Sequence, residues 1–360
     1  MSQIQSLTKF NEYTIGGVNM KIRRHSKDYN FFGDTETGLT MRWGDSINTN
    51  PKFAPWPELA DISISNHCTK GCEFCYKGST NNNSFMMVEQ YEHVLSSMQS
   101  EKWGNVFQVA LGGGEPLEHP NFIDIINITN EKGIVANFTT NGIHLNQDIV
   151  NNIKNKIGAV AISVNRIEEL NIDKIKLLMD AGIKTNIHFV LDNKSIYEGI
   201  DILSGKYNDM LKGVNGVIFL TYKPKGRAGL DKCLDMDDVL NKFISLIDNN
   251  MASVRIGFDA CFVPLLMKDT KVNVDYIDSC ECGFFSVYID EEMNVQPCSF
   301  ANDDRFSYNL RNYDFNDIWT NKYSYYRKDI MQNNCKNECT NKVNCRGKCV
   351  YYDSIAFCYK

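Results

Sequence analysis

The segment His67–Tyr76 reads HCTKGCEFCY and places Cys68, Cys72 and Cys75 in a C-x3-C-x2-C spacing. The preceding residues, DISISN, predict a short strand, so the cysteines fall on the loop that follows it. Three thiolates on one short loop can bind three irons of a 4Fe-4S cluster and leave the fourth iron without a protein ligand. An open coordination position is typical of catalytic metal sites. The alternative is a zinc knuckle with His67 as the fourth ligand.

The chain beyond this loop alternates short apolar strands with amphipathic helices. Apolar residues at Met87, Tyr91, Val94, Leu95 and Met98 repeat with helical spacing and predict the first helix. Strands that alternate with helices imply right-handed βαβ units and a parallel sheet, with the active site at the carboxyl ends of the strands. The six predicted strands lie in residues 61–66, 105–113, 134–142, 158–164, 182–192 and 216–222.

The regions on either side of this α/β segment have different patterns. Residues 29–44, YNFFGDTETGLTMRWG, predict a hairpin, and the proline-rich stretch 51–57 indicates the entry to a new domain. Beyond about Arg255 the regularity stops, and little apolar periodicity remains after Trp319. Metal clusters can stabilise a region with so few core residues.

Composition excludes several classes of function. The chain has 360 residues, a formal net charge of −6 and 43% hydrophobic residues, which is ordinary globular composition without the basic excess that nucleic-acid binding needs. No apolar run approaches the ~18 residues of a membrane span, and the N-terminus has no apolar signal core. We therefore expect a cytoplasmic protein that binds neither membrane nor nucleic acid. An odd count of 13 cysteines argues for metal rather than disulfides.

The three-cysteine spacing after a first strand, with Phe74 before the last cysteine, resembles the radical S-adenosylmethionine (SAM) enzymes. The segment LGGGEP supports the resemblance, because it follows the second strand. In that family, the motif matched here by Gly113–Pro116 receives the SAM amino group. The resemblance implies that Cys68, Cys72 and Cys75 are the catalytic cluster ligands. The residues that it implies for SAM binding are Phe74, Gly113, Gly114, Glu115, Pro116, Thr140, Asn141, Ser163 and Asn165.

The cysteines of the last third resemble the SPASM extension of radical SAM proteins, which holds two auxiliary 4Fe-4S clusters. The resemblance implies one cluster on Cys261, Cys280, Cys298 and Cys349, and a second on Cys335, Cys339, Cys345 and Cys358. Cys282 competes with Cys280 as a ligand, and Cys280 is preferred because Cys280-x-x-Gly283 fits the family form. Cys233 is expected to be a plain thiol. The alternative for the whole tail is structural zinc.

The tail departs from the SPASM pattern at two places. The first gap of its cysteine array has three residues instead of two. Met293 stands where the family usually has a glycine, so an easy turn with positive φ is lost. We expect the adjacent Asn294 to take over that conformation.

The resemblance implies an α/β fold, a partial (β/α)6 TIM-like barrel followed by a loop-rich C-terminal domain that holds the auxiliary clusters. The expected domains are a β-rich N-terminal lead over residues 1–56, the barrel over 57–254 and the SPASM-like domain over 255–360. In this class, reductive cleavage of SAM gives a 5′-deoxyadenosyl radical, which abstracts hydrogen from the substrate.

The substrate favoured by the resemblance is a peptide or protein side chain. A maturase of a ribosomally synthesised peptide, forming a thioether or carbon–carbon cross-link or an epimer, is the main hypothesis. The alternatives are a formylglycine-generating sulfatase maturase, a small-molecule radical SAM dehydrogenase and a non-enzymatic iron–sulfur or zinc protein. The implied partners are a reductant such as flavodoxin or ferredoxin and, because the N-terminal lead is short, a separate leader-peptide recognition protein.

Overall fold

The computed structural model describes residues 12–15, 18–302, 304–333, 345–355 and 357. It contains two sheets and a set of helices that pack mainly on the larger sheet. The strands are β1 Glu12–Ile15, β2 Val18–Ser26, β3 Tyr29–Gly33, β4 Thr40–Trp43, β5 Leu59–Ser65, β6 Gln108–Gly113, β7 Val135–Thr140, β8 Ile157–Val164, β9 Lys184–Leu191, β10 Gly216–Thr221, β11 Ile256–Phe258, β12 Ser286–Ile289, β13 Asn294–Gln296 and β14 Tyr308–Asn309. The helices are α1 Val88–Ser97, α2 Phe122–Glu131, α3 Gln147–Ile153, α4 Ile172–Asp180, α5 Ile196–Leu203, α6 Asp238–Ile247, α7 Val263–Asp269, α8 Phe315–Asp317 and α9 Tyr323–Asn333.

The larger sheet has ten strands in the order β11-β10-β9-β8-β7-β6-β5-β12-β13-β14. All strands from β11 to β12 in this order are parallel. Strand β13 pairs antiparallel with both β12 and β14, so β14 runs in the common direction again. The six strands predicted from the sequence are β5 to β10, so the α/β prediction is confirmed. Among the described strands the two edges of the sheet do not pair with each other, as in a partial barrel.

The core of this sheet lies between the strands and the helices that cross over them. Tyr91 and Val94 of α1 are fully buried, as the helical spacing predicts. At the other end of the sheet, Phe219 of β10 meets Phe243 of α6 edge to face, with ring centroids 5.2 Å apart. Asp237 caps α6, where its side chain accepts from the Leu240 amide. This packing fixes the strand ends that carry the site.

The smaller sheet, β1-β2-β3-β4, is antiparallel and contains the hairpin predicted from residues 29–44. It is anchored to the larger sheet through Glu58, which precedes β5. The Tyr29 hydroxyl donates to Glu58 at 2.7 Å, and the Arg42 guanidinium pairs with the same carboxylate at 2.8 Å. Arg42 also reaches Glu281 at 2.9 Å, so this sheet contacts both the barrel and the C-terminal region.

Regular structure continues beyond Arg255, contrary to the expectation from the sequence. Strands β11 and β12 add to the two sides of the predicted strand set, and α9 buries Tyr323, Tyr326 and Ile330. The stripe of Tyr323, Tyr326 and Ile330 has helical spacing, but tyrosines carry it rather than aliphatic residues. The C-terminal region therefore shares the main sheet, and its apolar residues join the main core and a second cluster that includes Tyr29 and Phe31 of the smaller sheet.

The turn between β12 and β13 also differs from expectation. Met293 itself takes the left-handed conformation, with φ of 67°, and Asn294 begins β13 in a strand. The expectation that Asn294 would adopt positive φ is therefore wrong. The Met293 side chain is 4% exposed in the main core, which explains why this residue is held in a conformation that L residues rarely adopt.

Candidate functional site

The three-cysteine loop leaves the carboxyl end of β5 and is held by backbone hydrogen bonds. The Cys68 amide donates to the Thr80 carbonyl at 3.1 Å, and the Cys75 amide donates to the Cys72 carbonyl at 3.3 Å. Gly71 has φ of 68°, which lets the loop reverse between the first two cysteines. Burial raises the pKa of the Cys68 and Cys72 thiols above the ordinary thiol value.

These thiols line a cavity of about 440 Å³ at the carboxyl ends of the parallel strands. The cavity brings together most of the cofactor-binding residues that the resemblance implied. Those among its lining residues are Phe74, Gly113, Gly114, Glu115, Thr140, Asn141 and Ser163. Pro116 and Asn165 are not among them. Pro116 starts a buried turn behind Glu115, and the Asn165 amide donates to Asp192 at 2.9 Å.

Glu115 joins the ends of β6 and β7. Its carboxylate accepts from the Thr140 hydroxyl at 2.6 Å, from the Asn141 amide at 2.8 Å and from the Leu117 amide at 3.0 Å. Burial raises the pKa of Glu115, while these donors act in the opposite direction. The Asn141 side-chain nitrogen is buried and has no hydrogen-bond partner in the part of the chain that the structure describes. A bound group with an acceptor would satisfy this nitrogen.

Gly113 and Gly114 permit a close approach between β6 and the segment that leads into the cysteine loop. Gly113 has φ of 111°. A Cβ there would lie 2.0 Å from the Ser65 carbonyl oxygen, and a Cβ on Gly114 would lie 2.0 Å from that of His67. The glycines are thus required by backbone packing beneath the cavity, in addition to any approach by a ligand.

The loop after β10, residues 222–229, packs on the cysteine loop. The Arg227 amide donates to the Cys75 carbonyl at 3.0 Å, and its guanidinium donates to the Cys72 carbonyl at 3.1 Å. A Cβ at Gly226 would lie 2.6 Å from the Cys75 carbonyl oxygen. This contact fixes the cysteine loop from the far edge of the cavity. In the sequence, the only sign of this contact was a basic, glycine-rich stretch at the end of a strand.

The cavity also contains ionisable residues, of which the sequence prediction missed Asp61 and Asp259. Asp61, in the middle of β5, lines the cavity, and burial raises its pKa to about 7. Lys223 pairs with Asp259 at 2.6 Å in the cavity wall, and Thr221 donates to the same carboxylate at 2.8 Å. The signal for Asp61 was a charged residue inside an otherwise apolar strand. His188 also lines the cavity, and burial lowers its pKa to about 4, so it is neutral at physiological pH.

A second group of thiols lies beside the cavity and comes from distant segments. Cys261 hydrogen-bonds Cys349, and Cys282 hydrogen-bonds both Cys280 and Cys298. The hydrogen bond from Cys261 lowers the pKa of Cys349 to about 6. Ser299 and Phe300, which follow Cys298, form part of the cavity wall.

The remaining cysteines are Cys233, Cys345 and three that the structure does not describe. Cys345 lies within the described residues, and its sulfur accepts from the Gly347 amide at 3.3 Å. Cys335, Cys339 and Cys358 lie outside the described residues. Cys233 is buried beside Tyr222 and Ala228 and hydrogen-bonds Ser354, which is consistent with a plain packed thiol.

The family model for the radical SAM superfamily matches residues 62–196, the segment that carries the three-cysteine loop and the strands β6 to β9. Residues 62–196 therefore carry a radical SAM domain, which supports an enzymatic role. SAM and a 4Fe-4S cluster are its implied cofactors. The residues fit them, since three thiols, the buried Glu115 carboxylate and Asn141, whose side-chain nitrogen is unsatisfied within the described residues, line one cavity.

The relatives include a maturase, and the similar structures include proteins that bind a precursor peptide or AdoMet. Mycofactocin maturase MftC of Mycobacterium ulcerans (strain Agy99) is 21% identical over 311 residues, which cover 79% of this chain and 80% of the relative. The crystal structure of Streptococcus suis SuiB bound to precursor peptide SuiA is similar with a TM-score of 0.69 at 16% identity, over 94% of this chain and 96% of that one. The structure of anSMEcpe with bound AdoMet is similar with a TM-score of 0.58 at 18% identity, over 81% of this chain and 86% of that one. No described helix is long and apolar enough to cross a membrane.

Proposed function

We propose that this chain is a radical SAM maturase that modifies a ribosomally synthesised peptide. The observation that carries the proposal is the position of one cavity between two thiol groups. Cys68, Cys72 and Cys75 line it on one side, and Ser299 and Phe300, directly after Cys298, line it on another. A substrate in this cavity would lie between a SAM-binding cluster and an auxiliary one. The similarity in fold to SuiB, whose structure holds a precursor peptide, supports a peptide substrate.

The residue roles follow from this geometry. Cys68, Cys72 and Cys75 would hold the cluster that binds SAM. When bound, cluster and SAM supply a carbon radical that abstracts hydrogen from the substrate. Glu115 would accept from the SAM amino group, because its carboxylate is already fixed by Thr140 and Asn141 at the cavity edge. The side chains of Phe74 and Ser163, which line the cavity, would orient the cofactor. Gly113, Gly114 and Pro116 would shape the backbone under it. Asn165 would act indirectly, through Asp192.

The second thiol group would hold an auxiliary cluster through Cys261, Cys298, Cys349 and either Cys280 or Cys282. We favour Cys280 as the ligand. The segment Cys280-x-x-Gly283 fits the SPASM form, and the Arg346 guanidinium donates to the Cys280 carbonyl at 2.8 Å and so places positive charge beside this residue. A further cluster on Cys335, Cys339, Cys345 and Cys358 completes the SPASM-type arrangement. We also propose a cytoplasmic location, a flavodoxin or ferredoxin as reductant, and a separate protein for leader-peptide recognition.

Co-expression under anaerobic, iron-rich conditions with the short peptides encoded beside its gene tests the proposal. We expect one peptide to lose two hydrogens in a cross-link, or to change configuration without a change of mass, as seen by mass spectrometry and chiral amino-acid analysis. The Cys72→Ala variant should leave the peptide unchanged. The Cys233→Ala variant is the matched control, since this buried thiol belongs to neither group. Conversion of a co-expressed sulfatase cysteine to formylglycine, with every peptide unaltered, would replace this function with the alternative.

A further inference from the structure

A second concave site lies at the opposite end of the strands from the catalytic cavity. We call it the aromatic groove. It has a volume of about 430 Å³ and is lined chiefly by residues that precede β5 and β12 and by residues around α9. The residues that line it include Phe53, Trp103, Trp319, Arg327, Lys52 and Lys328.

Arg327 is the buried cation of this groove and is 7% exposed. Its guanidinium carbon lies 4.9 Å from the ring centroid of Phe53 and 4.5 Å from that of Trp319. Its Nε donates to the Gly283 carbonyl at 2.7 Å, but its Nη2 is buried and has no hydrogen-bond partner among the described residues. Burial lowers the pKa of Arg327 to about 10, which still leaves the side chain charged at neutral pH.

This charge is uncompensated in the part of the chain that the structure describes. No carboxylate there forms an ion pair with Arg327, and the lining residues of the groove include no acidic side chain. Lys52 and Lys328, both exposed, add positive charge at its rim. A buried, unpaired cation is costly. A guanidinium whose Nη2 has no partner among the described residues can donate hydrogen bonds to a bound carboxylate. The aromatic rings beside it would bind an apolar neighbour of that carboxylate.

We infer that the aromatic groove is a recognition site, separate from the catalytic cavity, for an acidic residue of the peptide substrate, whose carboxylate binds Arg327. The inference rests on the proposed peptide substrate. The groove lies before β5 and the three-cysteine loop lies after it, and β5 has 7 residues, so the groove and the three-cysteine loop are separated by roughly 20 Å along the strand. The residue bound in the groove is therefore remote from the residue that reacts. The groove would hold a recognition segment of the peptide and so set substrate specificity.

Binding of short capped peptides to the reconstituted protein tests this directly. The probes are acetyl-Leu-Glu-Phe-amide and its glutamine analogue acetyl-Leu-Gln-Phe-amide, which differ only in the carboxylate. With 5-fluorotryptophan in place of the 4 tryptophans, we expect the glutamate probe to shift the fluorine resonances of Trp103 and Trp319. The glutamine probe should bind about tenfold more weakly, the size of one charge-assisted hydrogen bond. Equal binding of the two probes would overturn the inference.

Two variants assign the effect to the groove. Arg327→Gln should abolish the preference for the glutamate probe. Because this substitution changes a buried residue, Lys328→Glu on the exposed rim is a second test, and it should weaken the glutamate probe several-fold without affecting folding. Lys212→Glu, an exposed lysine outside the groove, is the matched control and should bind as the wild type does. Unchanged glutamate affinity in Lys328→Glu and in folded Arg327→Gln would contradict the inference.

The binding test separates this inference from the proposed function, since it needs neither SAM nor turnover. Carboxylate-dependent binding together with no modified peptide would leave the groove as a recognition site and remove the maturase proposal. If the Arg327→Gln variant modified the peptide normally, the maturase proposal would stand and the groove would no longer be its recognition site. Displacement of the glutamate probe by flavodoxin would assign the groove to the electron donor and overturn its assignment to the peptide.

Discussion

The two thiol groups differ in how the chain assembles them. Cys68, Cys72 and Cys75 stand on one loop, which backbone hydrogen bonds to its own residues hold in place. The second group draws on segments that follow β11, precede β12, follow β13 and lie near the C-terminus, and its thiols hydrogen-bond one another. The first group is therefore a local feature of sequence. The second depends on the correct assembly of the sheet edges, so fold and cluster should stabilise each other there.

The largest effect should come from removing the first group. The triple variant Cys68→Ala, Cys72→Ala and Cys75→Ala should form no 5′-deoxyadenosine from SAM and dithionite, because no other thiol group is proposed to leave an iron open. The circular dichroism spectrum should remain that of the wild type, since none of the three cysteines belongs to the apolar core. Chromatographic detection of 5′-deoxyadenosine is the measurement. Residual SAM cleavage by the triple variant would disprove the assignment.

The second group should respond through iron content and folding. The wild type should reconstitute with about twelve irons if it holds three four-iron clusters. Cys280→Ala should lose about four of these irons, and Cys282→Ala should keep them, as measured by iron and sulfide analysis. The double variant is the control, because Cys282 lies within hydrogen-bond distance of Cys280 and could substitute for it. Loss of iron in Cys282→Ala alone would reverse the assignment.

The contrast also explains how much could be predicted from the sequence. The strands β5 to β10 and the first thiol group were predictable, because apolar runs and short spacings are local signals. The smaller strands at the edges were not, since three residues such as those of β11 carry no periodicity and pair only when β10 is already in place. For the same reason, sequence spacing could not show that the Cys282 thiol interacts with the thiols of both Cys280 and Cys298 in the folded chain.

The site residues missed by the sequence were those whose role comes from burial. Asp61 is an ordinary aspartate in the printed sequence, and it becomes unusual only because β5 carries it into the cavity. Arg327 is one of many cations, and only the structure places it between Phe53 and Trp319. A lysine or arginine on a polar helix is usually a solvated residue, so the sequence alone could not distinguish this one.

Met293 offers a smaller test of the second region, because it forms the turn that leads to Cys298. Replacing Met293 by glycine relieves a φ of 67°, a gain of about 1 to 2 kcal/mol. It also removes a buried side chain, a loss of about 2 to 5 kcal/mol. We therefore expect a net loss of about 2 kcal/mol in the free energy of unfolding.

Chemical denaturation under anaerobic conditions measures this loss. The control is Asn155→Gly, because Asn155 is exposed and has φ of 64° without a buried side chain to lose. That variant should be equal to the wild type or slightly more stable. A stabilised Met293→Gly would show that the packing of Met293 does not hold the turn.

The smallest effect concerns Asp61, at the seam where β5 of the barrel pairs with β12 of the C-terminal region. Burial raises its pKa to about 7, and Lys77 offsets only part of this, because the ammonium already pairs with Glu291 at 2.8 Å and donates to Tyr288 at 3.1 Å. Between the unfolded pKa of about 4 and the folded value the folded state binds more protons, so Asp61 lowers stability progressively as the pH rises through that range. Asp61→Asn should therefore raise the free energy of unfolding by on the order of 1 kcal/mol at pH 8 and by little at pH 5, because the cavity is partly solvated. Denaturation at both pH values measures the difference, with the exposed Asp209→Asn as a control that should change neither. An equal gain in the free energy of unfolding at both pH values would mean that the effect comes from the packing or hydrogen bonding of the new amide and not from the charge of Asp61.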